Sequence, residues 1–394
     1  MHEYRYILVG GGMAAAAAVE GIRAHDSDGT IALVSEERYP PYSRPPLSKG
    51  LWHDKRLETV WRYASPLALG ITEHLTARAV EIEPVRHILR LADGRALGYG
   101  KLLLATGGEP RRLAGDPPDV VYLRGLDDYL RLRRAAPAAR FLVIGGGFVG
   151  AEMACALRSQ DKEVRMVFPE PAILAHLLPP DLAAAVMAYY REKGVAVTAN
   201  ARVEGVETTP GGVLVRLGHG ETAQADAVVA GLGIRPRTEL AEAAGLAVRD
   251  GIVVDAGGRT SDPDIYAAGD VARFPVPALG TDLRVEHEDN ALTRGRAAGA
   301  NMAGAQEEAA DAPFFYSDLF DLGFEAVGIL DGRLRTYADW AEPYRRGVVY
   351  YLDGGTVRGV LNWNVWGQVK AARALLGAGP FAADDALKGR IPLT

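Results

Sequence analysis

The sequence predicts an α/β chain in which one parallel-sheet unit is built twice and an α+β part follows. Three observations carry this. A short apolar run, a glycine turn, a helical stretch and a second apolar run occur near the N-terminus and again from residue 141, with Gly10 and Gly145 135 residues apart. Strands alternating with helices form parallel sheets covered by helices. From about residue 309 the pattern changes to a hairpin and a terminal helix. A chain of 394 residues is long enough for two to three domains, and so long a repeat means two domains of one type.

The elements follow in order. Residues 6–9 read as a strand, three glycines break it, an alanine-rich helix runs to residue 22, and 31–34 is the second strand. Residues 78–83, 88–91 and 101–105 read as strands, with Asp93-Gly94 as a turn; Pro117-Pro118 reads as a hinge. The second unit has a strand at 141–144, a helix at 148–158 and a strand at 164–168, followed by strands near 195–198, 213–217 and 227–230. Residues 348–352 and 356–363, joined by Asp353-Gly354-Gly355, give a hairpin signal, and 365–376 reads as a helix.

Composition removes several classes of function. With 44 basic against 50 acidic residues the net charge is −6, the wrong sign for a nucleic-acid binder. No apolar run approaches a membrane span, and a soluble cytoplasmic protein is expected. A single cysteine, Cys155, excludes a disulfide framework and a CxxC redox pair; on the helix after the second turn it reads as a small buried thiol. His74, His87, His176 and His219 lack metal-ligand spacing, so no metal is expected.

Gly10-Gly11-Gly12-Met13-Ala14-Ala15 fits G-x-G-x-x-A between a strand and a helix. Gly10 makes the tight turn, Gly12 lets backbone N–H groups approach a pyrophosphate, and Ala15 is small enough for close helix–strand packing. The helix N-terminus adds partial positive charge. Glu36, ending the second strand, is placed to accept hydrogen bonds from a ribose. Gly145-Gly146-Gly147-Phe148-Val149-Gly150 is a full G-x-G-x-x-G in the same context, and Glu170, 25 residues after Gly145, is its ribose acid. Pro171-Ala172 offer no arginine for a ribose phosphate, which favours NADH over NADPH, although Arg165 lies nearby. Two Rossmann-like dinucleotide-binding domains plus a C-terminal α+β domain are therefore expected. Two dinucleotides are required, and FAD with NADH is the pair that makes chemical sense.

Tyr42-Ser43-Arg44-Pro45-Pro46-Leu47-Ser48-Lys49, Ala105-Thr106-Gly107 and TSDPDIYAAGDVA at 260–272 resemble the two-dinucleotide flavoprotein reductases. The sequence is most similar to the FAD-dependent ferredoxin reductases of the putidaredoxin and rhodocoxin reductase type and to apoptosis-inducing factor, over its whole length. The resemblance implies FAD held by Gly12, Glu36, Arg44, Lys49 and Asp270, with Gly269-Asp270 on the ribityl chain and Ala105, Thr106 and Gly107 in a further binding loop. The bland alternatives are solvated charges for Arg44 and Lys49 and a helix N-cap for Asp270.

It also implies a catalytic pair, Lys49 and Glu152, beside the flavin's reactive edge. There the lysine stabilises charge on the reduced ring, and the glutamate orients it and can bind the nicotinamide amide. Phe148 matches an aromatic that swings to admit the nicotinamide; its alternative is core packing. Glu286-His287 precedes a helix at 291–302 whose N-terminus is expected to face the flavin. His287 departs from typical ferredoxin reductases toward apoptosis-inducing factor, and Tyr316 stands where many relatives stack a tryptophan. Residues 35–50 hold no cysteine, which speaks against thiol redox chemistry.

The expected domains are 1–114 with 238–308 for FAD, 115–237 for NADH, and 309–394 as a C-terminal interface domain. The implied chemistry is hydride transfer from NADH to FAD, then electrons to a small ferredoxin-type iron–sulfur protein; quinone, dioxygen or a small organic radical are rival acceptors. Arg131, Arg133 and Arg134, or Arg345 and Arg346, could form a basic docking face, but residues 309–394 carry nine basic against ten acidic residues. The alternative is an apoptosis-inducing-factor-like redox sensor with a long-lived reduced-flavin–NAD complex and an NADH-dependent homodimer.

Overall fold

A computed structural model describes residues 2–53, 55–63, 66–135, 137–381 and 383–393; the side chains of Leu67, His219 and Asp384 lie outside that description. The chain divides into two units, one comprising Met1–Ser43, Glu58–Glu109 and Arg235–Pro313, the other Arg44–Leu57, Pro110–Ile234 and Phe314–Thr394. The cut after Glu109 falls upstream of Pro117-Pro118. The C-terminal segment clusters with the second glycine unit, as does the short piece carrying Lys49.

In the first unit, Ile71–His74, Ile31–Val34, His2–Val9 and Ala96–Leu104 lie side by side and parallel, and Ile265–Ala267 adds a parallel pairing to Ala96–Leu104. Ile88–Leu91 and Ala79–Glu83 attach antiparallel. Residues 6–9 and 31–34 are buried throughout, as expected of strands covered on both faces. The first strand begins at His2, earlier than its apolar run, because His2, Glu3 and Tyr4 pair with Leu97, Gly98 and Tyr99. That pairing, with Arg90 opposite Ala96 on the other side, extends the strand expected at 101–105 back to Ala96.

The helix Met13–His25 buries five consecutive alanines and packs along Glu288–Met302. Their backbones touch: a Cβ on Gly299 would overlap the carbonyl oxygen of Ala18. Small residues at this crossing hold the N-terminus of Glu288–Met302, and His287 before it, in place. That helix starts three residues earlier than its alanine-rich stretch.

In the second unit a five-stranded parallel sheet runs in the order Val195–Thr198, Glu163–Val167, Arg140–Ile144, Ala227–Ala230, Val120–Tyr122. The helix Phe148–Arg158 follows the glycine turn as expected. Helices Leu126–Arg134 and Pro180–Glu192 and the antiparallel meander Val203–Thr209, Gly212–Leu217, Thr222–Ala225 complete this part.

The C-terminal segment forms an antiparallel sheet in the order Phe314–Leu319, Leu322–Gly328, Thr356–Trp363, Arg346–Asp353, Arg335–Glu342. The expected hairpin is its Arg346–Asp353 and Thr356–Trp363 pair. The terminal helix is shorter than its apolar pattern and spans Val369–Leu375. Asn364 and Gly367 both have positive φ, and the Gly367 N–H is taken by Glu325 Oε2 at 3.0 Å, which delays the helix.

Candidate functional site

At the first glycine turn, Gly10 has φ +120°, and a Cβ there would overlap the carbonyl oxygen of Ala105. Only glycine lets the strand end turn this close to its parallel neighbour. Gly12, the N-cap of Met13–His25, makes no side-chain cap, and a Cβ on it would enter open space. The first N–H groups of the helix therefore face an open cradle. Ala15 is fully buried beneath it.

Glu36 accepts from Arg237 Nη1 at 2.8 Å and lies 3.5 Å from Arg78 Nε. Thr106 Oγ1 donates to the Arg237 carbonyl at 2.7 Å, and the Arg237 N–H donates to the Gly107 carbonyl. Arg237 thus ties the Ala105–Thr106–Gly107 loop to Glu36, a link the sequence reading missed.

Gly269, with φ +79°, opens a short turn carrying Asp270 after the strand Ile265–Ala267. Arg284 Nη1 donates to the Asp270 carbonyl at 3.2 Å and to Glu286 Oε1 at 2.9 Å. His287 is the N-cap of Glu288–Met302. Burial pushes its pKa down to about 4, against the opposing pull of Asp270, and the positive end of the helix disfavours a charged imidazole as well.

The second glycine turn repeats the first. Gly145 has φ +117°, and a Cβ there would overlap the Gly231 carbonyl oxygen; one on Gly150 would overlap the carbonyl of Gly145 itself. Gly147 caps Phe148–Arg158 without a side chain and faces open space. Glu170 follows the strand Glu163–Val167; its carbonyl accepts the Asn200 N–H, and its Oε1 is 3.6 Å from His176 Nε2. Arg165 is already engaged, with Nε and Nη2 at 3.1 and 2.9 Å from Thr198 Oγ1 and Nη2 paired with Glu221.

A polar cluster gathers around Glu152, which is buried on the helix after this turn. Lys49 Nζ lies 3.2 Å from Glu152 Oε1 and 3.6 Å from Asp318 Oδ2, and 4.1 Å from the centre of the Tyr316 ring. Ser48 Oγ donates to Glu152 Oε2 at 2.6 Å and Ser317 Oγ to Oε1 at 2.8 Å. Phe148 packs edge-on to Phe315 and tilted against Phe324. Cys155 is buried, with Sγ 3.1 Å from Tyr190 Oη; burial pushes its thiol up to about 12, the environment of an inert thiol.

The structure thus brings Lys49, Phe148, Glu152 and Tyr316 into one cluster, and Gly10, Glu36 and the 105–107 loop into another. Arg44 donates to the Arg124 carbonyl at 2.8 Å. Three of the five arginines named for a docking face have partners in the fold: Arg133 lies over Trp52, Arg345 over Tyr189, and Arg131 bonds the Pro118 carbonyl. The sequence reading missed Ser48, Ser317 and Asp318. Ser317 did leave a signal, a polar residue in the buried row Phe315, Ser317, Leu319. Among the described residues no His, Cys, Asp and Glu group could hold a metal, and no helix is long and apolar enough to cross a membrane.

Two uncapped helix N-termini, each behind a glycine turn with an open cradle, fit two dinucleotides. The family model for pyridine nucleotide-disulphide oxidoreductases matches residues 4–295, and that for the C-terminal part of apoptosis-inducing factor, mitochondrion-associated, matches 298–344. The chain is 36% identical to the ferredoxin–NAD(+) reductase component of the anthranilate 1,2-dioxygenase system of Burkholderia cepacia, over 95% of this chain and 94% of that protein. It is 34% identical to mitochondrial apoptosis-inducing factor 1 of Dictyostelium discoideum, over 95% of this chain and 79% of that one. The fold is similar to the reductase in the crystal structure of the covalent putidaredoxin reductase–putidaredoxin complex, with a TM-score of 0.89 and 32% identity over 96% of this chain and 94% of that chain. The chain belongs to the pyridine nucleotide-disulphide oxidoreductase family and is an oxidoreductase that uses FAD and NADH.

Proposed function

We propose that the protein oxidises NADH and passes the electrons to a small ferredoxin-type iron–sulfur protein, and that it does so in the cytoplasm. In this reading residues 1–114 and 238–308 bind FAD, 115–237 bind NADH, and 309–394 form the interface domain. Bound FAD supplies the step between a two-electron donor and a one-electron acceptor. On the FAD side Gly10, Gly12 and Ala15 shape the phosphate cradle. Glu36, Arg44, Ala105, Thr106, Gly107, Gly269, Asp270, Glu286, His287 and Tyr316 complete that site. For NADH, Gly145, Gly147 and Gly150 form the cradle and Glu170 takes the ribose, while Phe148 lines the nicotinamide's path.

The observation that carries the reading is the Lys49–Glu152 pair, with Glu152 buried on the first turns of the helix after the second glycine cradle. Lys49 presents positive charge where electrons arrive, and Glu152 keeps it aimed and offers an acceptor for the nicotinamide amide. The ferredoxin-reducing relatives support the choice of acceptor. Anaerobic mixing of the NADH-reduced holoenzyme with a [2Fe–2S] ferredoxin, a benzoquinone and dioxygen tests it. Reoxidation is expected to be fastest with the ferredoxin; reoxidation only by quinone or dioxygen overturns this choice.

A second reading, a redox-sensing flavoprotein, draws on the apoptosis-inducing-factor match at 298–344 and on the partly buried His287. It requires slow reoxidation in air together with NADH-dependent dimerisation. Sedimentation of the protein with and without NADH distinguishes it from the reductase.

A further inference from the structure

The Glu152 carboxylate is almost wholly buried, and a carboxylate there is costly unless both oxygens are satisfied. Lys49 Nζ lies 3.2 Å from Oε1. The other contacts are two serine hydroxyls from distant parts of the chain, Ser48 on Oε2 and Ser317 on Oε1. Ser317 has no solvent exposure. Its strand alternates so that Phe315 and Leu319 share its face, and its cross-strand partner is Phe324, stacked on Trp363. A hydroxyl set into an apolar wall costs stability unless it has a partner, and the partner here is Glu152.

We infer that Ser317, with Ser48, is a positioning residue that fixes both oxygens of Glu152 so that the carboxylate presents one orientation to Lys49 and to the nicotinamide amide. With a hydroxyl on each oxygen the carboxylate cannot rotate about its terminal torsion without breaking a bond. The Lys49 contact alone leaves that rotation open, because Asp318 also attracts the ammonium. The strand Phe314–Leu319 thereby sets the geometry of a group 165 residues earlier in the chain. This inference rests on the proposed role of Glu152, and its test separates the two.

Binding of an inert tetrahydronicotinamide analogue of NADH is compared with binding of ADP-ribose, which lacks the nicotinamide, using the holoenzyme. In Ser317→Ala the analogue is expected to bind roughly tenfold more weakly, the scale of a lost hydrogen bond to a charged group, while ADP-ribose binding is unchanged. Ser48→Ala is expected to act in the same direction and serves if Ser317→Ala does not fold. Adding Ser317→Ala to Glu152→Ala is expected to have no further effect on the analogue. Equal weakening of both ligands, or of neither, with only a lower melting temperature, overturns the positioning role. If Glu152→Ala itself leaves the ratio of the two affinities unchanged, the proposed role of Glu152 is what fails.

Discussion

The ammonium of Lys49 is shared by two carboxylates of unequal exposure, Glu152 at 3.2 Å with its side chain 9% exposed and Asp318 at 3.6 Å with 55%. Solvent screens the second attraction much more than the first. Glu152 is thus the stronger partner, and Asp318 a weaker one that the surface can modulate.

Lys49→Ala is expected to slow NADH-driven flavin bleaching by roughly one to three orders of magnitude, the scale of a lost transition-state donor, with FAD largely retained. Asp318→Asn is expected to change the same rate by less than about threefold, as for an exposed ion pair. Anaerobic stopped-flow absorbance on both variants measures this. Equal losses in the two would mean that burial does not rank the carboxylates.

What the sequence disclosed about this site was local. Glycine spacing, the residues flanking it and the apolar runs specified both cradles, because each is made within about 25 residues of continuous chain. The helix Phe148–Arg158 and the strands at 31–34 and 195–198 were legible for the same reason. Resemblance supplied the Lys49–Glu152 pairing, which no periodicity in either segment encodes. Ser48 and Ser317 on Glu152, and Arg237 on Glu36, stayed hidden because register and packing over more than 100 residues create them. The terminal helix was overread because apolar spacing does not report that Asn364 and Gly367 hold positive φ.

The suppressed pKa of His287 has a consequence for stability. Its folded value of about 4 lies below its ordinary 6.5, so the unfolded chain binds the proton more readily. The stability it contributes is complete above about pH 6.5, falls as the pH drops toward about 4, and is flat below that. The loss is expected to reach about 2 to 3 kcal/mol. Melting temperatures of the protein and of His287→Gln between pH 7 and 4 check this; the variant's curve is expected to be shallower, and parallel curves would remove His287 as the cause.

In the proposed function, coenzyme choice rests on Glu170 and on how Arg165, five residues before it, is engaged. Arg165 is the nearby cation that a 2′-phosphate would use, and Glu221 and Thr198 occupy it. Glu170→Ala is expected to weaken NADH binding without altering flavin content. Glu221→Gln removes the ion pair and is expected to raise kcat/KM for NADPH relative to NADH roughly tenfold, the scale of one freed charge-assisted contact. Steady-state kinetics with both coenzymes measures the ratio. If NADPH is already the better donor for the unaltered protein, Glu170 is not the ribose acid.

The two glycines of the first turn do different work, and one methyl group on each separates them. At Gly10 an added Cβ meets the Ala105 carbonyl and the backbone has φ +120°, so Gly10→Ala is expected to cost stability by about 2 to 4 kcal/mol. At Gly12 the backbone has φ −94° and the Cβ meets nothing, so Gly12→Ala is expected to fold and to melt within a few degrees of the parent after FAD is removed from both. Its methyl enters the phosphate cradle, and FAD affinity is expected to fall roughly tenfold. The flavin-to-protein absorbance ratio after gel filtration, read beside the melting curve, tests the pair. A Gly12→Ala protein that keeps its full yellow colour would mean that the pyrophosphate does not approach the chain at Gly12.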